Sequence, residues 1–298
     1  MANYLVTGGA GFIVSHLARK LENQGHKVVS LDNMMHPCEN PYPSKFADVR
    51  YTKDMVQFFK GCDVCFHLAA QISVDRSIHS PQETIDINLN GTLNVLELCR
   101  KFSSKLVFAS TSEVYGTSQK EKMDESHPLD AQSPYGASKV AADRLCKSYI
   151  DTYNMKIVVL RNFNTFGPYQ NDDSYGGVIA RFTKAALAGD DLNIFGTGKQ
   201  ERDYMWVDDA VNAYLKVVNK QGVYNAGSGK TITVNRIAQL IKQHAGSKSK
   251  IVHIAPRPGE VQRLCCDATK IMKLGWKPRI SIEEGINKYV DFYKNSFL

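Results

Sequence analysis

The chain has 298 residues, 43% of them apolar and 22% charged, with a formal net charge of +7. This is ordinary globular composition, long enough for one large domain or two interleaved ones. No stretch approaches the ~20 apolar residues of a membrane span. Met1 and Ala2 lead almost directly into the strand-like run Tyr4-Leu5-Val6-Thr7-Gly8, so no export signal is read and a cytoplasmic location is expected. The lysines and arginines are scattered, the densest group being Lys248 and Lys250 in a loop, which argues against nucleic-acid binding.

Seven cysteines, an odd number without an export signal, do not make a disulfide framework. Cys62 and Cys65 form a C-x-x-C, and Cys265 and Cys266 are adjacent. These pairs would have to meet in space to hold zinc. The run Val64-Cys65-Phe66 reads instead as packed core, so no metal site is expected.

Short β-branched runs at 4–7, 27–31, 64–68, 105–109 and 156–160 alternate with helical patterns near 12–24, 82–102 and 134–154. Nearly all-apolar strands separated by helices predict a parallel sheet covered on both faces, a doubly wound α/β (Rossmann) fold. Ser133 before Pro134 reads as an N-cap and first helical residue. Ser281-Ile282-Glu283-Glu284 reads as a capping box, and Gly189 and Gly246 sit where helices should end. After residue 166 the elements become shorter. The expected division is a dinucleotide-binding domain of residues 1–166 plus about 203–225, and a smaller discontinuous α/β lobe of about 167–202 plus 226–298.

Thr7-Gly8-Gly9-Ala10-Gly11-Phe12-Ile13-Val14 follows the first strand and opens the first helix. Gly8 suits the tight turn. Gly11 lets the backbone approach a pyrophosphate, which the free N–H groups of the helix start would hold. The third glycine position holds Val14, and a looser helix–sheet contact is expected there. Asp32 ends the second strand, 21 residues after Gly11, where an acid would accept both ribose hydroxyls. Asn33 and Met34 follow, with no arginine for a 2′-phosphate, so NAD is favoured over NADP.

Tyr135 and Lys139 are four apart on one helix face, and an ammonium beside a phenol lowers the phenol's pKa. Thr111, Ser112 and Glu113 lie just past a strand, at the carboxyl edge where ligands bind. A strand-to-loop transition and a solvated helix face would also carry such residues.

With these strings in place the chain resembles the extended short-chain dehydrogenase/reductases of the nucleotide-sugar epimerase/dehydratase family, over almost its whole length. Gly8, Gly11, Phe12 and Ile13 are similar to that family's cofactor turn, Val14 apart. Asp48-Val49 resembles its adenine-holding pair, Phe66-His67-Leu68-Ala69-Ala70-Gln71 the strand end that lines the cofactor, and Asn88 its N-x-x-G-T-x-N segment. Thr111, Tyr135 and Lys139 resemble its Ser/Thr–Tyr–Lys triad. The resemblance implies a substrate site at Asn164, Val178, Arg202, Arg257 and Glu260, and a homodimer formed through helices 82–102 and 134–154. It implies that Tyr135 takes the proton of a sugar 4-hydroxyl while hydride passes to NAD⁺, with Thr111 on the same oxygen and Lys139 on the cofactor ribose.

Glu113 decides the preferred reaction. Family 4,6-dehydratases carry glutamate there to remove the C5 proton, whereas many 4-epimerases carry a neutral residue. Thr111-Ser112-Glu113 resembles GDP-mannose 4,6-dehydratases, and UDP-glucuronate decarboxylases share the string. The expectation is a 4,6-dehydratase acting on a UDP-sugar. The alternatives are a 4-epimerase, then a decarboxylase, then a non-catalytic NAD-binding sensor.

Overall fold

The computed structural model describes residues 1–173 and 177–297. Seven strands form the main sheet: β1 (Asn3–Thr7), β2 (Lys27–Asp32), β3 (Lys45–Phe46), β4 (Val64–His67), β5 (Lys105–Thr111), β6 (Ile157–Asn162) and, after a long excursion, β10 (Gly222–Ala226). Their spatial order is β10-β6-β5-β4-β1-β2-β3, and every pairing is parallel. The chain order reverses direction between β1 and β4. In open parallel sheets that point leaves a crevice beyond the carboxyl ends, and ligands bind there.

The apolar strands are explained by two-sided cover. The helix Phe12–Asn23 buries Val14, Leu17, Ala18 and Leu21, a stripe at helical spacing. The helix Pro134–Tyr153 begins as expected: the Ser133 hydroxyl accepts from the Gly136 N–H at 3.1 Å, with proline in the first turn. Gly189 and Gly246 end their helices in the left-handed conformation. Ser281 caps its helix through the Glu284 N–H at 3.2 Å, while the Glu284 side chain pairs outward with Lys288.

The second lobe holds a three-stranded sheet of β7 (Asn164–Phe166), β9 (Glu201–Trp206) and β11 (Thr231–Thr233), and a pair of β8 (Leu192–Phe195) with β12 (Ile251–Ile254). One boundary differs from expectation. Residues 203–206 pair within β9 to β7 and β11, so the return to the main sheet starts at the helix Val207–Val217 and finishes at β10. Val14 also differs. It is 2% exposed and joins the main apolar core, so the valine is filled in by packing and leaves no loose contact.

A buried ion pair ties together the elements that carry the crevice. Arg161 at the end of β6 grips Asp143 of the helix Pro134–Tyr153 through two bonds of 2.8 and 3.0 Å. Asp143 also accepts from Ser110 of β5 at 2.9 Å, and Arg161 donates to the Tyr115 hydroxyl at 2.9 Å. Removing one partner strands the other charge in the core. Asp143→Ala is expected to lower the unfolding free energy by about 3–5 kcal/mol, read by urea denaturation. A loss below 1 kcal/mol would mean the pair is not the tie described.

Candidate active site

A single cleft of about 590 Å³ runs along the carboxyl edge of the main sheet and under the second lobe. The first end is built by the glycine turn. Gly8 has φ +78°, and a Cβ there would stand 2.7 Å from the Ala69 amide nitrogen. Only glycine lets β1 and β4 approach so closely at their ends. Gly11 starts the next helix with no side-chain cap, so its first N–H groups are free to bind an anion. Asp32 lines the cleft, anchored by the N–H groups of Ala10 at 3.1 Å and Met34 at 2.6 Å, and burial lifts its pKa. The turn, the uncapped helix and the acid at the neighbouring strand end fit a dinucleotide.

Phe12, Ile13, Asn33, Val49, Leu68, Ala69 and Ala70 also line the cleft, but two residues assigned to the cofactor stand behind its wall. Asp48 is buried with both oxygens held by Arg50, at 2.9 and 2.6 Å, and that pairing holds its carboxyl down at about 2. Asn88 is buried too. Its amide oxygen accepts from the Gln71 N–H at 2.8 Å, and its nitrogen donates to the Gln71 carbonyl at 2.9 Å and to Ser138 at 3.0 Å. Asn88 therefore fixes the loop after β4 to the helix carrying Tyr135. It lies in a π-helical turn, Asp86–Asn90, between two α-helical stretches.

A chain of oriented hydrogen bonds continues from Asn88. The Thr92 hydroxyl donates to the Asn88 carbonyl at 2.6 Å, so it must accept from His67 Nε2–H at 3.1 Å. His67 Nδ1 is then left to accept from Thr7 at 2.7 Å. Burial holds this imidazole neutral, with its pKa pushed down to about 3.

Thr111, Ser112, Glu113, Tyr135 and Lys139 all line the middle of the cleft. Thr111 ends β5 and caps the short turn Ser112–Tyr115 through the Glu113 N–H at 3.2 Å. Its hydroxyl stands beside Tyr135 and favours the phenolate. The lowered tyrosine pKa is not found, however. Burial raises it, the Thr111 hydroxyl opposes this, and the charge of Glu113 adds to the rise. Lys139 is buried against the Phe108 ring, 4.3 Å from its centroid, and burial pushes its pKa down to about 8. Sequence spacing put lysine and tyrosine on one face but carried no information on this apolar setting.

Asn164, Val178, Arg202, Arg257 and Glu260 close the cleft from the second lobe. Arg202 pairs with Glu260 at 2.8 Å, and Arg257 pairs with Asp75 at 2.9 Å across the mouth. The Arg257 guanidinium also lies 4.4 Å from the Phe195 ring centroid. Glu113 is half-buried on the floor. Burial raises its carboxyl pKa, with Arg202 and Arg257 pulling down and Glu260 pushing up. Sequence reasoning named Gln71 with the strand end that lines the cofactor but did not single out Asn162 or Gln170; all three residues line the cleft, and their amide oxygens are buried without a partner in the protein. Among the described residues no group of three His, Cys, Asp or Glu is placed to hold a metal ion, and all seven cysteines are buried thiols.

The family model for GDP-mannose 4,6-dehydratase matches residues 5–289. The chain belongs to this family. It is a NAD-dependent nucleotide-sugar-modifying enzyme of the epimerase, dehydratase and decarboxylase kind. It is 39% identical to a putative UDP-glucose 4-epimerase of Methanocaldococcus jannaschii, over 98% of each chain. The solved UDP-glucose 4-epimerase of Thermotoga maritima, with UDP-glucose, superposes with a TM-score of 0.95 at 35% identity, covering 99% of this chain and 100% of that one. A dTDP-glucose 4,6-dehydratase of Streptomyces venezuelae with NAD bound gives 0.92 at 29% identity, covering 99% and 97%.

Two outcomes are expected. Gly8→Ala should weaken NAD binding roughly tenfold or more in calorimetry, because its Cβ meets backbone and its φ disfavours any L side chain. Unchanged affinity would mean the turn is not the cofactor cradle. Lys139 has a folded pKa below its unfolded value near 10.5. Its contribution to stability is therefore complete above pH 10.5 and lost as pH falls through about 8. Guanidinium melts at pH 7.5 and 9.5 should show a rise in stability in the native chain that Lys139→Met lacks.

Proposed function

We propose that the enzyme is a 4,6-dehydratase acting on a UDP-sugar through a 4-keto intermediate. The observation that carries this is Glu113, a carboxyl set in the cleft wall close enough to Tyr135 to perturb it, with its pKa lifted above the ordinary range. A lifted carboxylate is a stronger base, suited to pulling a carbon-bound proton made acidic by a neighbouring ketone.

Gly8, the helix start at Gly11 and Asp32 would hold NAD. Bound there, NAD would supply the acceptor for the C4 hydride and the donor of that hydride to C6 as C5 regains a proton, and its positive charge would favour the Tyr135 phenolate. Tyr135 takes the proton of the 4-hydroxyl as the C4–H bond breaks, and Thr111 steadies that oxygen by hydrogen bonding. Lys139 adds positive charge to the same corner. Glu113 then removes the C5 proton, the C5–C6 double bond forms, and the C6 hydroxyl leaves as water on receiving that proton. Ser112 lines the cleft next to Glu113 in the chain and offers a neutral hydroxyl there. Arg202 and Arg257 line the second-lobe end of the cleft and would hold a diphosphate.

A 4-epimerase is the second reading, favoured by the names of the relatives. There Thr111, Tyr135 and Lys139 do the oxidation and Glu113 takes no part. A homodimer is proposed through the helices 81–102 and 134–153, which leave Ile85, Leu93 and Tyr153 exposed at 38%, 39% and 50%.

Mass spectrometry of products from UDP-, GDP- and dTDP-sugars with NAD⁺ tests the reaction. A product lighter by one water, lost in Glu113→Gln while the cofactor is still reduced, is expected. An unchanged mass with a new sugar isomer would replace the dehydratase with the epimerase. Because burial raises the Glu113 pKa and the base must be ionised, the acid limb of dehydration should lie higher than that of an exposed glutamate. Glu113→Asp should keep a limb, whereas a limb at pH 4 or below in the native enzyme would remove Glu113 from this role.

A further inference from the structure

Four charged side chains of alternating sign line the second-lobe end of the cleft: Arg202, Glu260, Arg257 and Asp75. Arg202 meets Glu260 at 2.8 Å, Glu260 lies 3.9 Å from Arg257, and the Arg257 Nε lies 2.9 Å from Asp75. The first three belong to the second lobe. Asp75 comes from the helix Val74–His79 that follows β4 of the main sheet, so the last pair spans the mouth. Two cations and two anions leave the row without net charge, at the place where a diphosphate needs cations.

The two carboxylates are not equivalent. Glu260 is 19% exposed and hydrogen-bonded to Arg202. Asp75 is 47% exposed, and its contact is poorly directed: the Arg257 Nε–H is buried without a hydrogen-bonding acceptor, although the Asp75 oxygen is 2.9 Å away. A half-exposed contact held by charge alone is worth little in itself. Nor is Asp75 needed to place the arginine. The guanidinium lies 4.4 Å from the ring centroid of Phe195 on β8, and that contact stays when the carboxylate leaves. Arg257 is also reachable, with 23% of its side chain exposed. The anion that can leave is therefore Asp75. Kept beside a bound diphosphate, it would repel the phosphate oxygens.

We propose that Asp75 is a displaceable internal anion that sets how readily the nucleotide enters. It occupies Arg257 in the ligand-free enzyme, clasping the main-sheet side to the second lobe, and yields the arginine to the incoming diphosphate. This rests on the preceding reading only in that a UDP-sugar brings its diphosphate to Arg202 and Arg257. It is independent of whether Glu113 acts.

Binding of UDP and uridine to the NAD-loaded enzyme, and of NAD itself, is measured by calorimetry at low ionic strength, where such charges are least screened. The association rate of UDP is followed by stopped-flow fluorescence. Asp75→Asn should bind UDP roughly three- to tenfold tighter than the native enzyme, with faster association, and leave uridine and NAD unchanged. Asp75→Glu keeps the charge and should stay within about twofold of native. Retained NAD binding shows that a variant is folded. Unchanged or weaker UDP binding in Asp75→Asn overturns the inference, because Asp75 would then be an idle surface charge or a support for Arg257. An equal gain for uridine overturns it too, as does a change in NAD affinity. If the native enzyme binds UDP no tighter than uridine, the UDP-sugar reading and this one fall together. If it prefers UDP and Asp75→Asn makes no difference, only this one falls.

Discussion

The bidentate pair between Asp143 and Arg161 is buried where β5, β6 and the helix Pro134–Tyr153 converge. Each of those elements lines the cleft: Thr111 on β5, Asn162 at the end of β6, Tyr135 and Lys139 on the helix. Burying two charges is expensive, and the cost is met only when every remaining hydrogen-bonding position is filled. Here Ser110, Tyr115 and a backbone carbonyl at Glu125 fill them. Tyr115 in turn donates to Asn225 of β10 at 2.7 Å. The directional demands of this network fix the strand ends against the helix more sharply than apolar contact could.

A second network serves the other wall. Thr7, His67, Thr92 and Asn88 form a chain in which each proton has one possible direction. It begins at the residue before Gly8 and ends at the loop of Gln71 and at Ser138, whose hydroxyl donates to the Tyr135 carbonyl at 2.7 Å. The glycine turn and the helix that carries Tyr135 are thereby held by one set of buried bonds. Asn88 acts through position, which explains its place behind the wall.

The cleft itself is electrostatically divided. Near the reacting groups burial dominates, raising Tyr135 and Glu113 and lowering Lys139. All three are pushed toward their neutral forms, as expected where water is excluded. Toward the second lobe, Arg202 and Arg257 are already paired with Glu260 and Asp75. A diphosphate entering there would exchange carboxylate partners for phosphate ones rather than meet bare charge.

The sequence by itself determined the parallel sheet, the glycine turn after β1 and the acid at the end of β2, because each depends on local periodicity or fixed spacing along the chain. It also determined the helix ends at Ser133, Gly189 and Gly246, which rest on backbone conformation within a few residues. Only the tertiary structure decided which way Asp48 and Asn88 face, that Val14 is filled by core, and that residues 203–206 belong to the smaller sheet. It also decided the titration of Tyr135 and Lys139, and the two amide nitrogens held by Thr165. These properties arise from burial and from partners far apart in the chain, such as Asp143 with Arg161 and Asp75 with Arg257. No spacing rule encodes the dielectric surroundings or the unfilled valence of a side chain. Both exist only once the strands and the second lobe have closed around it.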